Sequence, residues 1–294
     1  VITTVNTPFN EDLTINWSDL RRTAEAALEA GVSGFLAPCF ASEIDELTNE
    51  ERYRMVTELL AVTHQAGHGI VMPNVRGKTK DDCVEQAKRY LDLGVDGVNI
   101  FMPTVTEESY RELVAAVDEL HPPFLCLQDT KDNELRAPFV KSMFDEFESF
   151  RCIKIETANP GPDYTAILKA TDGRLNVSGS WGSDQMIEAF DRGIHALMPS
   201  GLFELFVNVY RLYHEKSREA AMKLFFDILP IIVFTRQSDS ANLSLHKRYF
   251  QRLGLYTTTK FRAPFAVDAV QAHYIEEMID RALYIRDHMD QYWQ

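Results

Sequence analysis

Lys154 has the setting that most favours chemistry. It lies within Cys152–Glu156, where residues two apart share one face of a strand. Cys152, Lys154 and Glu156 therefore fall on one side, and Ile153 and Ile155 on the other. If the isoleucines face a layer of helices, the lysine faces an interior where an unpaired ammonium is costly. Such burial lowers a lysine pKa from about 10.4. The resulting free amine is the nucleophile of Schiff-base chemistry on a carbonyl. The competing reading is a structural ion pair with Glu156 or another interior carboxylate.

Other polar residues stand at the ends of apolar runs. Phe40, Ala41, Ser42 and Glu43 follow Ser33–Cys39 and form a turn whose backbone N–H groups suit a carboxylate. Thr48 with Glu51 three residues on reads as a capping box opening the next helix. Gln128 and Asp129 end another run, and Asp129 is the expected acid–base group, with Glu43 and Glu156 as alternatives. Near Ser178, Gly179 and Gly182 allow close backbone approach, and Trp181 reads as a pocket wall. Thr7 is expected to turn its hydroxyl inward. Each residue also has an ordinary structural explanation; the convergence of five run ends is what points to a site. His64 and His68 are spaced like metal ligands but lack a third, so no metal or other cofactor is expected.

The elements that must position these residues alternate regularly. Strands are predicted at Val1–Thr7, Ser33–Cys39, Gly69–Val75, Gly97–Met102, Pro123–Asp129, Cys152–Glu156, Leu175–Ser180 and His195–Ser200. Amphipathic helices follow each, at Trp17–Ala30, Thr48–Gln65, Thr79–Leu93, Glu107–Glu119, Ala137–Phe147, Asp163–Ala170, Ser183–Arg192 and Phe203–Lys216. This pattern predicts an α/β fold, a (β/α)8 TIM barrel over residues 1–216, with active-site groups at the C-terminal strand ends. A doubly wound sheet is the alternative, but no GxGxxG follows the first strand. Gly31 and Gly94 sit at similar helix-to-strand joints and suit helix C-termini. Ser217–Gln237, Ser238–Leu253 and Ala263–Gln294 read as a helical extension, residues 217–294, packed on the barrel.

A formal charge of −14 argues against nucleic acid partners. Cys39, Cys83, Cys126 and Cys152 form no CxxC pair and read as reduced residues of a cytoplasmic protein. No apolar run approaches the roughly 18 residues of a membrane span, so no membrane association is expected. Val1–Asn10 has no signal-peptide pattern, and the missing initial Met suggests trimming.

The motifs NTPF, FASEIDELTNEER and CIKIET, in this order and spacing, resemble the dihydrodipicolinate synthase / N-acetylneuraminate lyase superfamily. The resemblance implies a (β/α)8 barrel with a C-terminal helical extension, a small 2-keto acid partner, and a homo-oligomer, tetramer or dimer. Lys154 matches the lysine that forms an imine with the keto acid. Cys39–Glu43 aligns with the carboxylate-binding Gly-Thr-Thr-Gly-Glu turn and keeps only its final glutamate; Ser178–Gly179 matches a Ser-Gly pair. The acid–base tyrosine of strand five falls at Leu127, and the strand-four tyrosine at Val105. The arginine that dihydrodipicolinate synthases use after strand five is absent, with only Lys131 and Arg136 nearby. The motifs around Ala41–Glu43, Gln128–Asp129, Lys154–Thr157, Ser180–Gly182 and His246–Gly254 are more similar to L-2-keto-3-deoxyarabonate dehydratases, whose strand-four Tyr-His pair is absent at Thr104–Val105. The implied activity is dehydration of a 2-keto-3-deoxy sugar acid. A pyruvate aldolase and a non-catalytic keto-acid-binding barrel are the alternatives.

Overall fold

Short β-branched and apolar runs bury both faces, as strands of a parallel sheet covered by helices must. The computed structural model of the chain describes residues 1–101, 106–130, 135–180 and 183–294. The strand segments among them are β1 (Thr3–Thr4), β2 (Gly34–Leu36), β3 (Ile70–Met72), β4 (Asn74–Val75), β5 (Val98–Ile100), β6 (Leu125–Thr130), β7 (Phe150–Glu156), β8 (Asn176–Gly179) and β9 (Ala196–Leu197). Pro73, which has no N–H to give to a ladder, separates β3 from β4 within one stave. The pairing runs β1-β2-β3 and β4-β5-β6-β7-β8-β9, parallel throughout. A parallel bridge from Thr4 to Ser200 and the bond from Ile2 N to Leu197 O (2.9 Å) bring the ends together. The fold is the (β/α)8 barrel expected from the sequence.

The helices between strands are α1 (Trp17–Glu29), α2 (Asn49–Ala66), α3 (Lys80–Asp92), α4 (Glu107–Asp118), α5 (Ala137–Glu146), α6 (Pro160–Ala170) and α7 (Met186–Asp191), with α8 (Phe203–Arg211) after β9. The Thr48–Glu51 capping box forms reciprocally, at 3.2 and 3.0 Å. Gly31 and Gly94 take φ of +97° and +84°, a region that suits glycine where a helix turns back into a strand. Helix α6 starts at Pro160, earlier than expected, because proline is tolerated in the first turn, where its missing N–H has no helical partner.

Strand pleating splits the apolar residues into two sets. Leu127, Ile153, Ile155 and Val177 join the main core with the helices. Leu36, Met72, Cys126 and Cys152 form a second cluster with Cys39, Ala41, Met198 and Leu243. That second cluster lies on the lumen side of the strands, and Cys39, Ala41, Met198 and Leu243 of it reach the cavity at the strand ends.

The C-terminal helical extension comprises α9 (Arg218–Thr235), α10 (Asp239–Arg252), α11 (Ala269–Asp287) and α12 (Asp290–Trp293). The last long helix begins at Ala269, not at Ala263; the intervening stretch contains Pro264 and leads into an Asp268 cap. The extension is tied to the first strand's loop: Tyr256 donates to Asn6 O at 2.5 Å and Thr258 to Phe9 O at 2.6 Å.

Candidate active site

A cavity of about 600 Å³ lies at the C-terminal ends of the strands, with Lys154 and Glu156 in its wall. The alternation along β7 that puts Ile153 and Ile155 into the outer core turns these two inward. Lys154 is 5% exposed, and its Nζ lies 3.1 Å from Glu156 Oε1. The ion pair that competed with the Schiff-base reading is therefore present. It does not remove the lysine from the cavity, since both partners line it.

A chain of amides holds Glu156 from the other side. Gln128 Nε2 donates to Glu156 Oε2, and Gln128 Oε1 accepts from Asn99 Nδ2 at 3.0 Å. Asn99 Nδ2 also bonds Asn74 Oδ1. A chain of polar groups from β4, β5 and β6 thus ends on this carboxylate, which keeps its other oxygen on Lys154. Asn74, Asn99 and Arg76 were missed in the sequence. A polar residue inside an apolar run, the signal that picked out Lys154, also marks Asn74 and Asn99.

Of the remaining expected residues, Phe40, Ala41 and Gln128 line the cavity. Several others do not. Ser42 is fully buried; its hydroxyl donates to Val5 O at 2.5 Å and accepts from Cys39 N at 3.1 Å. Thr7 spends its hydroxyl on Ser42 O at 2.5 Å. Thr4 lines the cavity instead, its hydroxyl 2.6 Å from that of Ser200. Ser178 faces the lumen below the cavity, donating to Asn176 Oδ1 at 3.2 Å. Gly179 faces the helices, where an added Cβ would meet Tyr164 Oη at 2.7 Å. Trp181, Gly182, Thr104, Val105 and Lys131 lie outside the described residues.

Of the three carboxylates expected as acid–base groups, Glu156 lines the cavity and the other two are directed elsewhere. Asp129 has the opposite strand parity to Gln128 and is outside the cavity lining; its Oδ1 accepts from Leu135 N at 2.9 Å. Glu43, with φ +56°, turns away from the lumen: Oε1 meets Lys247 Nζ at 2.6 Å, and Oε2 accepts the N–H groups of Arg262 and Ala263, each at 2.9 Å. Leu127, equated with the superfamily's tyrosine, packs in the outer core, because parity gives the lumen to Cys126 and Gln128. No tyrosine lines the cavity among the described residues.

Two guanidiniums stand at the wall. Arg76 pairs with Asp45 Oδ2 at 2.8 Å and lies over Phe101, and Arg236 pairs with Asp184. Cys39 also lines the cavity, but burial pushes its thiol pKa up, and the nearby Lys154 charge only partly offsets this. It is therefore a poor thiolate nucleophile. No cluster of His, Cys, Asp and Glu suited to a metal occurs among the described residues. Nor is any helix there long and apolar enough to cross a membrane.

Fold and site together define a (β/α)8 barrel with a buried, carboxylate-paired lysine at its strand-end cavity. Residues 1–120 match the dihydrodipicolinate synthetase family. An uncharacterized DapA-like lyase of Halobacterium salinarum, present in two strains, is 26% identical over 234 residues, covering 75% of this chain and 74% of that protein. The 4-hydroxy-tetrahydrodipicolinate synthase of Methylacidiphilum fumariolicum SolV superposes with a TM-score of 0.88 at 16% identity, over 100% of this chain and 98% of that one. Dihydrodipicolinate synthase from Rhodopseudomonas palustris gives 0.86 at 21%, over 95% and 96%. At such identities the structural likeness speaks for the fold. The chain is thus similar to the dihydrodipicolinate synthetase family in the sequence of residues 1–120, and to its solved members in fold.

Proposed function

We propose that the protein is a lyase that binds a 2-keto acid as an imine on Lys154 and dehydrates it, the substrate being a 2-keto-3-deoxy sugar acid. The observation that carries this reading is the buried Lys154–Glu156 pair in the cavity wall, with Gln128 holding the carboxylate. Glu156 takes the ammonium proton, freeing the amine to attack the C2 carbonyl. Returning that proton lets the carbinolamine lose water and become an iminium. The iminium is an electron sink, so a base can remove a C3 proton to give the enamine. The enamine then expels the C4 hydroxyl, which leaves as water with a proton from the same relay. The lysine is released by hydrolysis.

Phe40 and Ala41, at the turn after β2, are the proposed seat of the substrate carboxylate. The Ser42 and Glu43 N–H groups are already used within that turn, on Cys39 O and Phe40 O. The lack of a tyrosine among the described cavity residues favours water loss over cleavage of C3–C4, because the C4 hydroxyl then has no phenol to assist its deprotonation. The four buried free cysteines accord with a reducing, cytoplasmic setting on this reading.

Borohydride reduction in the presence of pyruvate or 2-keto-3-deoxy-L-arabonate is expected to add the acid's mass to Lys154. Lys154→Ala is expected to abolish both adduct and turnover. An adduct on another lysine refutes the assignment. Stoichiometric pyruvate and aldehyde from 2-keto-3-deoxy-L-arabonate, without water loss, replaces the dehydratase by an aldolase.

A further inference from the structure

The C-terminal extension also enters the cavity. Asp239, Asn242, Leu243 and His246 of α10 line the same space as Lys154. Their spacing of three and four puts them on one face of the helix. His246 is 2% exposed, and its Nδ1 has no hydrogen-bond partner among the described residues. Buried polar groups are almost always paired, and an unpaired one costs about 1–3 kcal/mol. Because His246 belongs to the cavity lining, a molecule bound there is the candidate partner for this buried nitrogen.

The ring is held rigidly from behind. Gly201, at φ +57°, packs so closely that a Cβ there would come within 2.2 Å of His246 Cδ2. Glycine is needed at this point for both the conformation and the contact. Burial also pulls the imidazole pKa down to about 3, so the ring is neutral. A neutral imidazole offers one N–H donor and one acceptor. Nδ1 alone either donates or accepts, according to the tautomer, and a hydroxyl can meet it in both states, whereas a carboxylate, which only accepts, meets it in one. Asn242, one turn earlier, adds an amide with the same dual capacity.

We propose that α10 recognises the hydroxyl-bearing chain of the substrate beyond its reacting carbons, with His246 as the specificity-determining residue. The proposal rests on the imine reading above and adds the chemical class of the substrate's distal end. It is tested by borohydride trapping at increasing concentrations of two probes. Pyruvate has no distal chain, and 2-keto-3-deoxy-L-arabonate carries two hydroxyls. The readout is the ratio of their half-saturating concentrations.

The wild type is expected to prefer the hydroxylated acid. His246→Leu is expected to reduce that preference about tenfold, His246→Gln to recover part of it, and Asn242→Ala to reduce it less. Should His246→Leu not fold, as judged by its melting curve, the other two variants decide the question. A preference unchanged in the folded variants overturns the role of α10. Equal affinity of the wild type for both acids does the same while leaving the imine reading intact. No adduct with either acid removes both.

Discussion

Among the described residues Glu156 is the carboxylate paired with Lys154, so its proton exchange is the chemistry to test first. Glu156→Gln preserves shape but cannot relay a proton. It is expected to lower turnover by about 10²–10⁴-fold and to slow formation of the Lys154 adduct as well, because the same relay serves both steps. A loss under tenfold takes Glu156 out of the relay, and a comparable loss in Asp129→Asn restores Asp129 to it. Ser42 belongs to a different account. Its hydroxyl bonds Val5 O and Cys39 N in a fully buried setting. Ser42→Ala is therefore expected to cost about 1–3 kcal/mol in denaturant unfolding and leave KM unchanged. A raised KM with unchanged stability reverses that placement.

At the scale of elements, the turn after β2 and the helix α10 are clamped together. Lys247 of α10 reaches Glu43 Oε1 and also donates to Lys260 O, each at 2.6 Å, with its ammonium 4.1 Å from the Phe261 ring centre. Burial lowers the Lys247 pKa to about 8, partly offset by Glu43. Removing one partner of such a pair leaves a buried charge without compensation. Lys247→Met is expected to destabilise the fold by about 3–5 kcal/mol, measured by chemical denaturation. The double variant Lys247→Met/Glu43→Leu is expected to recover much of that loss, because neither charge remains. A single variant as stable as the wild type discards the clamp. Because α10 also forms cavity wall, the clamp positions part of the site as well as holding the fold.

Across the whole molecule, His246 links pH to stability. Its folded pKa is depressed to about 3 by burial, while the unfolded value is near 6.5. Between these values the unfolded chain binds the extra proton, so stability rises with pH and is lost as pH falls below about 6.5. The contribution is at most about 1.4 kcal/mol per pH unit for one proton. His246→Gln is expected to flatten the stability curve between pH 4 and 6 by about that slope, as read from denaturant midpoints at several pH values. An unchanged slope means that the ring is solvated or protonated in the folded state. The extension that carries this residue is joined to the first strand's loop by Tyr256 and Thr258. We propose accordingly that barrel and extension unfold as one unit.

The features legible in the residues alone follow from short-range rules. The alternation of apolar runs with amphipathic stretches specifies parallel strands and covering helices. Parity within Cys152–Glu156 was enough to send Lys154 inward and its isoleucine neighbours outward. The Thr48 capping box and the Gly31 and Gly94 joints were equally local, and all three form. Where strands end, parity ceases to be readable: Asp129 and Leu127 belong to the outer face, and Ser42 and Glu43 turn into the protein. The partners of Glu43 and Ser42 lie in other elements, at Lys247, Arg262 and Val5, so no local pattern could announce them. Only tertiary packing brought His246 and Asn242 against a cavity whose lysine lies about ninety residues earlier in the chain. Closing the barrel and laying the extension across its mouth decided which polar groups meet.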